Sequence, residues 1–216
     1  MRAFTSPTIR RILAGRGEDV PSLTGALEQL CQAGARRVAV QPTHLLYGYE
    51  YDKLKAEAEA FSDRFEQLAV GRPLLAGSRD ILRFAEQLAA ARPRQAGTAV
   101  VCMGHGTEHF ANAAYPALQT ALRLSGREDI LIGTVEGWPG LEDVLRQLRA
   151  PCAVQLLPLM LVAGDHARND MSVAWKGALE RAGHRVRCGF TGLGELAWVQ
   201  DMYREKVLET LEQAGQ

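Results

Sequence analysis

VVCMGHGTEHF, residues 100–110, begins as an apolar run of strand-forming residues and ends in Gly104-His105-Gly106. A buried strand that stops at glycines, with a titratable side chain between them, is the pattern of a strand end in a parallel α/β sheet, where ligands bind beyond the carboxyl edge. Working outward, RRVAVQP, DILIGTV, CAVQLLPLML and HRVRCGF are further short apolar runs, most of them followed by an amphipathic stretch. That alternation predicts right-handed βαβ units and a fold of the α/β class built on parallel sheet. Helices are expected over Arg79–Ala91, with Ser78 as N-cap, and over Leu141–Leu148 after the turn Gly137-Trp138-Pro139-Gly140. Gly183-His184 reads as a turn before a strand.

The chain also repeats itself. VQPTHLLYGYEYDKL, residues 40–54, can be laid on LLPLMLVAGDHARND, residues 156–170, with Pro42 on Pro158, Gly48 on Gly164 and Glu50 on His166. A shared strand-Pro-loop-Gly-helix plan predicts two related α/β halves, divided near residues 92–97 into 1–95 and 96–216. In the same register Arg2–Leu13 faces the unit that begins at Ile132, and residues 71–87 face 189–203. The opening strand and helix of the second half, Thr98 to about Leu124, then have no partner in the first, so the first half is expected to lack one βα unit.

Composition narrows the partners. The 25 basic and 25 acidic residues cancel and form no long block of one sign, which argues against nucleic acid or a membrane surface held by bulk charge. No apolar stretch approaches the roughly 20 residues of a membrane span. The N-terminus MRAFTSPTIRR has no apolar signal region, so the chain reads as cytoplasmic, or as periplasmic were an upstream segment to precede it. Cys31, Cys102, Cys152 and Cys188 are scattered without a CxxC pair and read as small core residues.

Chemistry concentrates at three strand ends. His105 follows VVCMG, Glu136 ends ILIGTVEG, and His166 lies just beyond LLPLMLVAGDH. They recur at intervals of about one βα unit, so they occupy equivalent positions at one sheet edge and should converge. Two imidazoles and a carboxylate suit Co²⁺, Fe²⁺, Ni²⁺ or Zn²⁺, with coordination positions left open for a substrate. Gly104 and Gly106 would let backbone and ligand approach closely. Arg168 and Asn169 stand where they could meet an anion or simply begin a helix. Pro42, His44, Leu45 and Tyr47 form a loop that either borders the ligand or is ordinarily packed, and Trp138 reads as a hinge-packing aromatic or a stacking platform.

The letters His105-Gly-Thr-Glu108-His109 also match H-x-x-E-H, an inverted zinc-protease signature. That motif needs a helix through both histidines, and Gly104 and Gly106 oppose one. No dinucleotide fingerprint, Walker lysine or G-x-S-x-G elbow is present.

RAFTS at residues 2–6, VQPTHLLYGYEYDKL at 40–54, MGHGTEHFANAAYPAL at 103–118, GTVEGWP at 133–139 and LPLMLVAGDHARNDM at 157–171 together resemble the anaerobic sirohydrochlorin cobalt chelatases, class II chelatases related to ferrochelatase. The resemblance implies two Rossmann-like halves around a central cleft for a tetrapyrrole. It also implies a His, Glu, His metal site, carried over to His105 in GHGT, Glu136 in EGWP and His166 in AGDHA. The implied activity is insertion of Co²⁺ into sirohydrochlorin, with His105 and Glu136 catalytic. Substrate contacts would come from Pro42, His44, Leu45, Tyr47, Gly104 and Gly106. Insertion of Fe²⁺ or Ni²⁺, and a tetrapyrrole or metal carrier without turnover, are the alternatives. Relatives are often oligomeric, although no interface is legible here. Where members of that family usually open with a strand like LLVVSFGT and a helix, this sequence has neither.

Overall fold

The computed structural model describes residues 2–148, 150–164 and 168–215. Among these, the strands are β1 Arg37–Val40, β2 Gln67–Val70, β3 Thr98–Gly104, β4 Ile130–Thr134, β5 Ala153–Pro158 and β6 Arg185–Cys188. The helices are α1 Pro7–Ala14, α2 Leu23–Gln32, α3 Tyr49–Glu59, α4 Ser78–Ala91, α5 Ala114–Leu124, α6 Leu141–Gln147, α7 Lys176–Arg181 and α8 Ala197–Gln213. All strand pairs are parallel: β1 with β2, and a second sheet in the order β4-β3-β5-β6. The α/β reading with parallel sheets holds. None of the described helices is long and apolar enough to cross a membrane.

The chain packs as two compact units, one of residues 2–42, 49–72 and 204–215, the other of residues 43–48 and the described part of 73–203. They are cut differently from the halves 1–95 and 96–216, because α4 joins the core that α5 and the second sheet share.

In the smaller unit, Leu23 and Leu27 of α2, Val38 and Val40 of β1, Ala58 of α3 and Phe65 form the core. α2 starts where Ser22 Oγ accepts the Gly25 amide at 3.1 Å, satisfying one of the donors that a helix start leaves open. Strand β2, QLAV, is too short to carry a periodic signal and was not anticipated. Its pairing with β1, from Arg37↔Gln67 to Val40↔Val70, creates it. Tyr51 then donates its hydroxyl to Gly71 O at 3.2 Å, tying α3 to the end of that strand.

In the larger unit β3 and β4 bury both faces, as βαβ connections require. Val100 and Cys102 of β3 and Ile130 and Ile132 of β4 point into one core with α4, α5 and the start of α8. Val101, Met103 and Leu131 point into the opposite core with Val144 of α6, Trp175 just before α7 and Leu179 of α7. Phe84, fully buried, meets Trp198 edge-on at 5.0 Å between centroids and gains about 2–3 kcal/mol from leaving water. Cys102 is core, whereas Cys31, Cys152 and Cys188 are half-buried at core margins; all are free thiols.

Helix starts differ slightly from expectation. Ser78 is the first residue of α4 and Gly77 its N-cap, with no side-chain bond. α6 begins as expected at Leu141, where the Asp143 carboxylate accepts the Gly140 amide at 2.8 Å. Gly183, at φ +92°, makes the expected turn before β6.

Arg127 closes the other end of α4. It donates to the carbonyls of Ala89 and Arg92 and grips Asp129 bidentately at 2.8 and 2.9 Å. The Arg127 hydrogen bonds hold the Asp129 carboxyl below the usual carboxylate range. The folded state therefore keeps this group charged where an unfolded chain would take up a proton. Its stabilisation is complete above the ordinary aspartate value of about 3.9 and is lost as pH falls through the lower folded value. Urea titrations from pH 7 to pH 3 should find Asp129→Asn less stable than the parent near neutrality, with the gap closing in acid. A gap independent of pH would refute the assignment.

Candidate functional site

β3 and β4 end side by side, with Gly104 opposite Thr134. Their ladder continues into the loops, because Val135 N donates to Gly104 O at 3.0 Å and Glu136 N donates to His105 O at 2.8 Å. His105 and Glu136 are thereby carried out of the sheet together, with Nδ1 of the imidazole 3.6 Å from Oε2 of the carboxylate. The two side chains are 66% and 65% exposed, so both are open to an incoming ligand.

His105 Nδ1 also lies 3.0 Å from Gly106 O. A carbonyl can only accept, so this contact is a hydrogen bond in the tautomer with the proton on Nδ1, which leaves the Nε2 lone pair for a proton or a metal ion. Gly106 has φ +82°, and a Cβ there would stand 2.7 Å from Gly137 N and 2.8 Å from Thr134 Cβ. The backbone turns so tightly here that only glycine fits. Beneath the loop, the Tyr115 ring packs against Gly104 and its hydroxyl accepts Gly106 N at 3.4 Å. Burial pushes the Tyr115 phenol up, so it stays neutral.

The Glu136 loop closes on itself through Pro139 O, which accepts from Thr134 N at 2.7 Å and from Thr134 Oγ1 at 3.0 Å. The Trp138-Pro139 peptide is cis. Trp138 itself is 62% exposed, so it is not the packed hinge aromatic that its position suggested. Asn112, just before α5, accepts Thr107 N at 3.1 Å through Oδ1 and donates to Trp138 O through Nδ2. Neither Asn112 nor Tyr115 stood out in the sequence, since each acts by reaching a loop that is distant along the chain or bent back over it.

Residues 105–109 are not helical. His109 instead caps the short turn Phe110–Ala113, its Nδ1 accepting Ala111 N at 3.1 Å. The two imidazoles do not share a helix face, and the zinc-protease reading of HGTEH is thereby overturned.

His166 lies outside the described residues. Nearby, Arg168 donates from Nε to Ala163 O at 2.9 Å, and its guanidinium lies 5.3 Å from the Phe190 ring centroid. Pro42 is buried, while His44, Leu45 and Tyr47 are half-buried in a loop whose Leu45 packs on the larger core. Tyr203 OH lies 2.9 Å from Thr43 O and 3.1 Å from His44 O, which pins that loop. Among the described residues no three His, Cys, Asp or Glu side chains gather as a metal site, and His105 with Glu136 is the described part of the expected trio.

Comparison with known proteins places this geometry in context. Residues 1–212 match the family described as cobalt chelatase (CbiK). The sirohydrochlorin cobaltochelatase of Salmonella typhimurium (strain LT2) is 37% identical over 224 aligned positions, covering 99% of this chain and 83% of that protein. The sirohydrochlorin cobaltochelatase CbiKC of Nitratidesulfovibrio vulgaris (strain Hildenborough) is 38% identical over 213 positions, covering 93% and 74%. The solved structure of SirB from Bacillus subtilis with Fe³⁺ superposes with a TM-score of 0.69, covering 97% of this chain and 92% of that one. At 16% identity that likeness speaks to the fold alone.

Proposed function

The chain belongs to the cobalt chelatase family, and on that premise we propose that it inserts Co²⁺ into sirohydrochlorin, the reaction for which its relatives in Salmonella typhimurium and Nitratidesulfovibrio vulgaris are named. The observation that carries the site assignment is the exposed His105 and Glu136 pair, 3.6 Å apart at the carboxyl edge of the larger sheet.

Insertion exchanges two pyrrole N–H protons for one divalent ion, so the reaction needs a proton acceptor and a transient hold on the metal. In this reading His105, Glu136 and His166 hold the incoming Co²⁺, and as the ring nitrogens replace those ligands the freed, solvent-exposed His105 Nε2 takes the two pyrrole protons one after the other and passes them to water. Glu136 also faces the protonated Nδ1, so a charge developing on the imidazole is met by a carboxylate. Pro42, His44, Leu45 and Tyr47, with the Gly104 and Gly106 backbone, remain the candidates for contact with the tetrapyrrole.

An imidazole and carboxylate set separates Co²⁺ from Fe²⁺ and Ni²⁺ poorly, so cobalt preference is a property to measure. Anaerobic incubation of the chain with sirohydrochlorin and each metal, followed by the change in macrocycle absorption, is the test. The expected result is faster insertion than without protein, and fastest with Co²⁺. Folded protein that binds sirohydrochlorin without accelerating insertion would favour the carrier reading, and a clear preference for Fe²⁺ or Ni²⁺ would change the metal.

A further inference from the structure

The side chains of His105 and Glu136 are mostly in solvent, so their separation is set by the two loops that carry them. The β3–β4 ladder ends at the bonds Glu136 N to His105 O and Val135 N to Gly104 O. Beyond it, each chain needs another restraint to keep the loops from splaying.

That restraint is Asn112. Its Oδ1 accepts the amide of Thr107, two residues after His105, and its Nδ2 donates to the carbonyl of Trp138, two residues after Glu136. The partners fix the orientation of the side-chain amide, because Thr107 N can only donate and Trp138 O can only accept. The amide also lies close against Gly137, where an added Cβ would come within 2.4 Å of Oδ1. One side chain just before α5 thus spans both loops, through two hydrogen bonds and one packed glycine.

We propose that Asn112 is a positioning residue for the His105 and Glu136 pair, clamping together the two loops that carry them. It touches neither metal nor macrocycle. The proposal rests on His105 and Glu136 being metal ligands, and its test keeps the two ideas apart. Groups that orient metal ligands typically matter tenfold to a hundredfold for metal affinity or activity.

The experiment is a double-mutant cycle on the full chain, with Co²⁺ alone as probe and affinity read from its d–d absorption. The variants are Asn112→Ala, Asn112→Leu, His105→Ala and the His105→Ala pairings of each Asn112 variant. Asn112→Leu keeps the side-chain bulk, and thermal melts establish that each variant is folded. Both Asn112 variants should bind Co²⁺ about tenfold or more weakly in the native background, and make no further difference once His105 is alanine. A merely structural loss would instead add to the His105→Ala loss, which would overturn the proposal. So would Asn112 variants that bind like the parent while His105→Ala binds poorly. If His105→Ala itself binds Co²⁺ like the parent, the ligand assignment fails and the clamp falls with it.

Discussion

Replacing His105 with alanine is expected to lower Co²⁺ insertion into sirohydrochlorin by about a thousandfold or more while leaving the fold intact. The size follows from losing two roles at once. A positioned general base contributes on the order of 10² to 10⁴, and the same Nε2 is a proposed ligand of the incoming metal. The intact fold follows from exposure, since a side chain 66% in solvent supports no core. Its contacts are the Gly106 carbonyl and the Glu136 carboxylate, so the melting curve should match the parent within about 0.5 kcal/mol. Glu136→Gln is informative beside it: the neutral amide keeps the shape and should lose metal capture more than proton transfer. Turnover of His105→Ala near the parental rate would remove His105 from the mechanism.

Gly106→Ala should damage both stability and insertion, and a control separates the causes. An alanine at φ +82° pays the left-handed penalty, roughly 1–2 kcal/mol. In addition, its Cβ would sit 2.7 Å from Gly137 N, 2.8 Å from Thr134 Cβ and 3.0 Å from the Glu136 carbonyl carbon. Two of those atoms are backbone and cannot swing aside, so residues 134–137 must move and carry Glu136 with them. A displacement near 1 Å at a reacting group can cost about a hundredfold in rate. We expect about 2–4 kcal/mol of lost stability and at least a hundredfold slower insertion. Gly97→Ala supplies the control, because Gly97 has φ +68° and open space around the missing Cβ. It should cost about 1 kcal/mol and leave insertion unchanged. Equal behaviour of the two variants would mean that the close approach of the loops at Gly106 does not matter.

Much of this protein was legible from local pattern. The apolar runs at β1, β3, β4, β5 and β6 and the amphipathic stretch of α4 follow from hydrophobic periodicity, which is a property of neighbouring residues. Gly104, His105 and Gly106 advertised a strand end, and the spacing of His105 and Glu136 by about one βα unit advertised two of them on one edge. Strand β2 was invisible for the opposite reason. Four residues of ordinary composition become a strand only because β1 supplies the hydrogen-bond partners.

Local pattern was enough for the parallel α/β class and for the strand edge that carries His105 and Glu136. Strand propensity, glycine freedom and side-chain chemistry are local quantities, and they survive being read one residue at a time. The tertiary structure alone decided that β3 and β4 lie next to each other, which brings His105 and Glu136 to 3.6 Å. It alone made His109 a cap rather than a ligand, and set Asn112 across two loops. Those outcomes depend on hydrogen bonds between segments far apart along the chain or bent back on themselves, and periodicity carries no record of which segments will meet.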